Sequence, residues 1–288
     1  MSTSDRTTMR VAFQGEPGAF SEAAAVQLLG EGITPVPRTT FDSLFRAVAE
    51  GAADAILAPV ENSLAGSVVR VYDLLVQSDL TIVGETILPI EMNLIAHPGA
   101  TLADIKTVSS HPMALAQCEG FFNAHPHFKR TPAEDTAGSV REMMARSDNS
   151  YAAIAGGRAA SHYHAAILAE RIQDNAENFT RFVLLLPPAV AGRTNSGSEA
   201  RKMSIALRLA HQPGALLAAL EPFARHGVNL LKIESRPIHG SPWEYQFFMD
   251  IETDSAQRMQ TALDEVRKAT SALRVLGLYA AAKATSRS

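Results

Sequence analysis

From Met203 onward the apolar positions alternate, Met203, Ile205, Leu207 and Leu209, as in a strand buried on one face. The period then becomes helical. Leu216, Leu217, Leu220 and Phe223 share one stripe, and Gly227 stands where a helix C-cap is expected. Leu230 to Ser235 reads as a second strand, Arg236-Pro237 to Pro242 as a turn, and Trp243, Tyr245, Phe247, Met249 and Ile251 as a third strand. Asp254 caps a last helix through Met259, Leu263 and Val266, with Gln257 placed for a capping box, and Leu273 to Tyr279 closes the set. The order βαββαβ predicts a ferredoxin-like plan. That plan alone assigns no function.

The first two thirds of the chain read differently. Short apolar strands (Val11 to Phe13, Asp54 to Ala58, Ile82 to Val83, Met92 to Ala96, Thr107 to Ser109, Ala152 to Ala155) alternate with helical patterns. One helix spans about Ser21 to Leu29. Another carries Phe41, Leu44, Phe45 and Val48 on one face and ends at Gly51. This alternation predicts α/β architecture with mainly parallel sheets, and ligands beyond the carboxyl ends of the strands. Between the two regions, PPAVAGRTNSGSEA is rich in Pro, Gly and small polar residues and reads as a linker.

Bulk properties narrow the function classes. A chain of 288 residues has room for two domains. A net charge of −4 gives no electrostatic reason to expect nucleic acid or anionic lipid as partner. No apolar run is long enough to span a bilayer, and MSTSDRTTMR has no signal-like apolar stretch. Cys118 is the one cysteine, so neither an internal disulfide nor a cysteine-based zinc site can form. A reducing cytoplasm is the expected compartment. The histidines are scattered, with no HExxH pair, and no phosphate loop or GxSxG elbow is present. No cofactor and no metal are therefore expected.

Four loops can carry chemistry. In DAILAPVENSLAG a buried strand delivers Glu61, Asn62 and Ser63 to the end of a sheet. A Glu bounded by apolar sequence is a candidate for the raised pKa of a general acid; the plain alternative is a turn satisfying its own backbone. In TVSSHPMALAQC, Pro112 suits the first position of a helix, Ser110 and the free amides there suit a carboxylate, and Gln117 lies two turns along. In NFTRFVLLL, Thr180 and Arg181 stand at the start of an apolar strand, and Arg181 is a natural carboxylate clamp. GEPGAFS, at Gly15 to Ser21, could cradle an anion, but it lacks the dinucleotide fingerprint and reads more simply as a turn.

Taken together and in order, these motifs resemble the prephenate dehydratase family: Pro59 to Gly66, Ser110 to Gln117, and Thr180-Arg181-Phe182, opened by GEPGAFS. The C-terminal region resembles an ACT domain of the phenylalanine-sensing kind, with HQPGALL at His211 to Leu217, LLKIESRP at Leu230 to Pro237 and YQFFMD at Tyr245 to Asp250. The resemblance covers about Arg10 to Tyr279, and no chorismate mutase-like helical extension precedes it. It implies a catalytic region over 9–187 of two α/β subdomains resembling periplasmic-binding-protein folds, a linker over 188–200, and an ACT domain over 201–281.

By the same resemblance, prephenate loses its ring carboxylate as CO2 and its ring hydroxyl as water, giving phenylpyruvate. Thr180 is the first choice at the leaving hydroxyl, with Glu61 the alternative acid and Asn62 beside them. Ser63, Ser110, Gln117, Arg181 and Phe182 hold substrate. L-phenylalanine binds and inhibits through Gly214, Ala215, Leu216, Glu234 and Ser235, at ACT interfaces of a homodimer or homotetramer. The rival readings are an arogenate dehydratase, acting on the amine-bearing analogue, and a non-catalytic amino-acid-binding regulator. Glu61, Thr180 and Arg181 argue against the second.

Overall fold

The computed structural model describes residues 8–194, 201–238 and 241–282. In chain order the elements are β1 (Arg10–Gln14), α1 (Phe20–Leu29), β2 (Thr34–Arg38), α2 (Phe41–Arg46), β3 (Ala55–Asn62), β4 (Gly66–Ser67), α3 (Val69–Gln77) and β5 (Thr81–Pro89). They continue with β6 (Asn93–Ala96), β7 (Thr107–Ser110), α4 (Pro112–Ala116), α5 (Glu119–Ala124), β8 (Lys129–Pro132), α6 (Thr136–Met144), β9 (Tyr151–Ala155), α7 (Gly157–His162), β10 (Ala166–Ala169), β11 (Phe179–Leu186) and α8 (Pro188–Thr194). Last come β12 (Lys202–Arg208), α9 (Ala215–Arg225), β13 (Asn229–Ile238), β14 (Ser241–Glu252), α10 (Ala256–Ala269) and β15 (Ala272–Tyr279). The chain forms two compact units, residues 1–71 with 86–182, and 72–85 with 183–288. No helix among the described residues is long and apolar enough to cross a membrane.

The first unit holds two sheets. In one, β1 runs parallel between β2 and β3, and β4 turns back antiparallel on the end of β3. Val11 to Phe13 and Ala55 to Ala58 are fully buried, the continuous apolar run of strands covered on both faces. The other sheet has the order β10-β6-β9-β7-β8. Its β7 is parallel to β8 and β9, but β6 is antiparallel to β9 and β10. The sheet is thus mixed rather than mainly parallel. Ile95, Ala153 and Ala155 pack there against Val140 and Met143 of α6 and Ala159 of α7.

GEPGAFS joins the two halves of this unit. Gly18 has φ +87°, and a Cβ there would lie 2.7 Å from the Cα of Ala159. Glu22, 5% exposed, accepts the Gly18 amide (2.7 Å) and pairs with Nε of Arg158 (2.9 Å). With an internal carboxylate already on its amide, this turn is a packing joint and not an anion cradle.

The second unit contains the expected βαββαβ set as an antiparallel sheet, β13-β14-β12-β15. One face is covered by α9 and α10 over Met203, Ile205, Leu207, Met249 and Ile251. On β14, Phe248 meets Tyr72 edge-on at 4.9 Å between ring centroids. Lys202 Nζ reaches both carboxylate oxygens of Glu85 at 2.9 Å, with the two side chains 9% and 2% exposed.

Several expected boundaries shift. On α9 the buried residues are Ala215, Ala219, Pro222 and Phe223, while Leu217 is 71% exposed; three neighbouring leucines cannot all face one core on a 100° step. Ser255, not Asp254, caps α10, accepting the Arg258 amide. Arg236 and Pro237 belong to β13, where Pro237 pairs with Tyr245, and Pro242 to β14; residues 239 and 240 of the expected turn lie outside the described residues. The segment read as a linker begins as helix α8, started by Pro188, and its residues 195–200 lie outside the described ones.

Candidate active site

Asn62 ends β3 and ties the hairpin beyond it to β11. Its Oδ1 accepts the amides of Leu64 (3.0 Å) and Ala65 (2.8 Å), an Asx-type turn closing the hairpin to β4. Those two donors fix which atom is oxygen, so Nδ2 faces Oδ1 of Asn178 (2.7 Å), the carbonyl of Phe179 (3.1 Å) and Oγ1 of Thr180 (3.0 Å). Next to it, Ser63 staples the hairpin to the same segment. Its amide donates to Phe179 O (2.8 Å), its Oγ donates to Glu177 O (2.8 Å), and that Oγ accepts the Phe179 amide (2.9 Å). Thr180 Oγ1 therefore receives an N–H while its own proton finds no acceptor among the described residues. Asn178 and Thr180, two apart on an extended segment, share a face. Asn178 Nδ2 in turn donates to Oε1 of Gln117 (3.1 Å), the C-cap residue of α4.

These groups open on a cleft of about 360 Å3 within the first unit. Phe20, Ile90, Met92 and Met113 give it apolar walls, and Gln14, Asn62, Gln117, Asn178 and Thr180 supply neutral polar groups. His111 also lines it, as the N-cap of α4 whose Nδ1 accepts the Met113 amide (3.2 Å). Glu134, Asp135 and Thr136 complete the lining where β8 passes into α6.

Of the residues expected at the site, Asn62, Gln117 and Thr180 meet in this cleft. The others do not line it. Strand alternation puts Glu61 and Arg181, neighbours of Asn62 and Thr180, on the opposite faces of β3 and β11. Arg181 is thus not a clamp within the cleft. Phe182 is 2% exposed and belongs to the core. Ser63 is engaged with the backbone of Glu177 and Phe179. Ser110 is fully buried and donates to Ile154 O (2.6 Å), ahead of the five-residue α4. Cys118 is buried; burial, with lesser contributions from Asp174 and Glu119, pushes its thiol up to about 12, which excludes a nucleophilic thiolate. Among the described residues no three His, Cys, Asp or Glu side chains gather as metal ligands.

A second, smaller cavity of about 140 Å3 sits where β12 turns into α9, lined by His211, Gln212, Ala215, Leu216, Tyr245 and Phe247 among others. Gly214 is the N-cap of α9, at φ +81°. Ala215 and Leu216 line this cavity; Glu234 and Ser235, on β13, do not.

Residues 11–189 match the family model for prephenate dehydratase, and residues 203–269 that for the ACT domain. The chain belongs to the prephenate dehydratase family. Arogenate dehydratase 3, chloroplastic, of Arabidopsis thaliana is 41% identical over 291 residues, covering 95% of this chain and 67% of that protein. A prephenate dehydratase from Arthrobacter aurescens, solved in complex with L-Phe, is 35% identical with a TM-score of 0.84, covering 94% of this chain and 90% of that one. A structure described as GqqA, a novel type of quorum quenching acylase, is 34% identical with a TM-score of 0.84, covering 94% and 98%. The protein is thus a dehydratase of aromatic amino-acid biosynthesis, a carbon–oxygen lyase, with a C-terminal ACT domain.

Proposed function

We propose that the Thr180 cleft converts prephenate to phenylpyruvate, with no metal or cofactor. The observation that carries this is the Asn62–Thr180 hydrogen bond, which leaves the threonine proton for the substrate. In the reaction the C–C bond to the ring carboxylate breaks, and its electron pair enters the ring as CO2 departs. The ring hydroxyl leaves from the para carbon and takes up a proton to form water. A threonine is a weak acid, so its part is a hydrogen bond that strengthens as charge builds on the leaving oxygen, with the proton supplied ultimately by solvent. Asn62 Nδ2–H supports Thr180 Oγ1 as that oxygen becomes more negative. Apolar walls and neutral donors hold the departing carboxylate poorly compared with water, which favours CO2 loss.

The ACT region is proposed to bind L-phenylalanine in the cavity beside Gly214, Ala215 and Leu216, and to inhibit the cleft. The L-Phe complex of the Arthrobacter protein supports this. Exposed Leu217, Leu231 and Ile233 support assembly into a homodimer or homotetramer through ACT domains, with Glu234 and Ser235 at the interface. The proposed boundaries are a catalytic region to residue 187 and an ACT domain from residue 201. The proposed location is the cytoplasm, although Arabidopsis relatives are named as chloroplastic. Arogenate is the second reading for the substrate, favoured by the names of several relatives. The test is purified protein with prephenate, following phenylpyruvate with and without phenylalanine. Absence of turnover on prephenate and on arogenate alike would refute the assignment.

A further inference from the structure

Gln117 is held twice by the segment that leads into β11. Its carbonyl, at the C-cap of α4, accepts the Asp174 amide (2.7 Å). The Asp174 carboxylate then takes two of the first free amides of α5, those of Glu119 (2.9 Å) and Gly120 (2.8 Å). A Cβ at Gly120 would lie 2.9 Å from Asp174 Oδ1, so the cap leaves no room for a side chain there. Asp174 thus clamps the break between two short helices, and Gln117 stands at that break. Asn178, 1% exposed, holds the side chain of the same residue through its Oε1.

The direction of the side-chain amide bonds is set at one end. Backbone N–H groups can only donate, so the amides of Leu64 and Ala65 make the Asn62 atom that they meet an oxygen. Asn62 Nδ2 then requires the oxygen of Asn178, and Asn178 Nδ2 requires the oxygen of Gln117. Gln117 Nε2 is left for the cleft that this residue lines, with no acceptor among the described residues.

We propose that Asn178 and Asp174 are positioning residues, which hold Gln117 with its Nε2–H groups turned to the cleft to bind a substrate carboxylate. The proposal rests on the dehydratase reading above and concerns how that same site binds its substrate. No lysine or arginine lines the cleft, so a substrate with two carboxylates depends on neutral donors. An unrestrained Gln117 would offer either end of its amide, and the carbonyl end repels an anion. Pairing Oε1 with Asn178 selects the donor end before substrate arrives, and Asp174 fixes the backbone from which that side chain projects. A carboxylate that stays on the product keeps its bond to Gln117 in the ground and transition states alike. Losing the orientation therefore raises KM and spares kcat.

The experiment measures kcat and KM on whichever of prephenate and arogenate the wild-type protein converts faster. The variants are Asn178→Ala, Asp174→Ala, Gln117→Leu and the two doubles that add Gln117→Leu, each checked by thermal unfolding. Gln117→Leu should raise KM by about 10–100-fold, the loss of a hydrogen bond to a charged group. Asn178→Ala should raise it by about tenfold and Asp174→Ala by about threefold or more, each with kcat within about threefold of wild type. In the Gln117→Leu background neither should add more than about twofold, because the residue they act through is gone. A folded Asn178→Ala enzyme with KM within about twofold of wild type overturns the proposal, as do equal factors in both backgrounds or a loss confined to kcat. Asp174 is exposed, so its variant decides by the same criteria where Asn178→Ala does not fold. Wild-type turnover of neither substrate defeats the dehydratase reading and the proposal with it, whereas an active wild type with any of the contrary results defeats the proposal alone.

Discussion

Replacing Asn62 by Asp changes one atom of the hub and inverts its hydrogen bonds. The oxygen that accepts the Leu64 and Ala65 amides remains, so the hairpin turn survives. The nitrogen that donates to Asn178 Oδ1, Phe179 O and Thr180 Oγ1 becomes an acceptor facing three oxygens. Asn178 Oδ1 loses its donor, at about 1–3 kcal/mol, whereas Phe179 O keeps the Ser63 amide. The third, Thr180, can answer only by turning its own proton onto the new carboxylate and away from the substrate. Stability should fall by about 1–3 kcal/mol, a Tm drop of roughly 2–12 °C for domains of this size. With the proton diverted, kcat should fall by about 10²–10⁴, the range for losing a positioned proton donor. Asn62→Ala removes the support for Thr180 but leaves its proton free, so a smaller loss of about 10–100-fold is expected. The assay is kcat at saturating substrate from release of aromatic product, with thermal unfolding run in parallel. A folded Asn62→Asp enzyme within threefold of wild type, or an Ala variant slower than the Asp variant, would refute the role given to this hydrogen bond.

Lys202→Met should destabilise by about 3–5 kcal/mol in chemical denaturation, because it strips the cation from buried Glu85, whereas Lys202→Met with Glu85→Leu should recover most of the loss; a single-variant cost below about 1 kcal/mol contradicts this. Gly18→Ala should cost about 2–4 kcal/mol by thermal unfolding, combining positive-φ strain with overpacking against Ala159, and a neutral effect would mean that the joint yields easily. With its thiol raised to about 12, Cys118 stays protonated at neutral and mildly alkaline pH. It should resist iodoacetamide in the native protein at pH 8 and react on denaturation; rapid native labelling would contradict this.

How much of the fold and site was legible in the sequence depended on the strength of each local signal. The alternation at Met203, Ile205 and Leu207, and the helical pattern after it, place the ACT elements because each sheet face there has one kind of neighbour. β2 carries two prolines in TPVPR and gave no strand signal, yet it pairs along its whole length as the parallel partner of β1. In the VENS run Glu61, Asn62 and Ser63 were all expected at the site, but strand period two sends only Asn62 to the cleft and leaves Ser63 to the backbone. Arg181 failed for the same reason: it neighbours Thr180 and so faces the other way. Ser110 was expected to help hold a carboxylate, but a buried carbonyl of Ile154 captures it. Asn178 was readable in principle, since it lies two residues before Thr180 on an extended segment. Glu134, Asp135 and Thr136 come after a short strand of polar and proline residues whose signal is weak, though Asp135 is a recognisable N-cap.

The most direct test of the central claim compares Thr180→Val with Thr180→Ser. Valine keeps the shape and removes the hydroxyl, while serine keeps the hydroxyl on a smaller side chain. With whichever substrate wild type prefers, Thr180→Val is expected to lose at least about 100-fold in kcat with KM changed little. Thr180→Ser is expected to stay within about tenfold of wild type, and both variants should unfold at near-wild-type temperature. A Thr180→Val enzyme that keeps its kcat within about threefold of wild type would contradict the claim that this hydroxyl serves the leaving group.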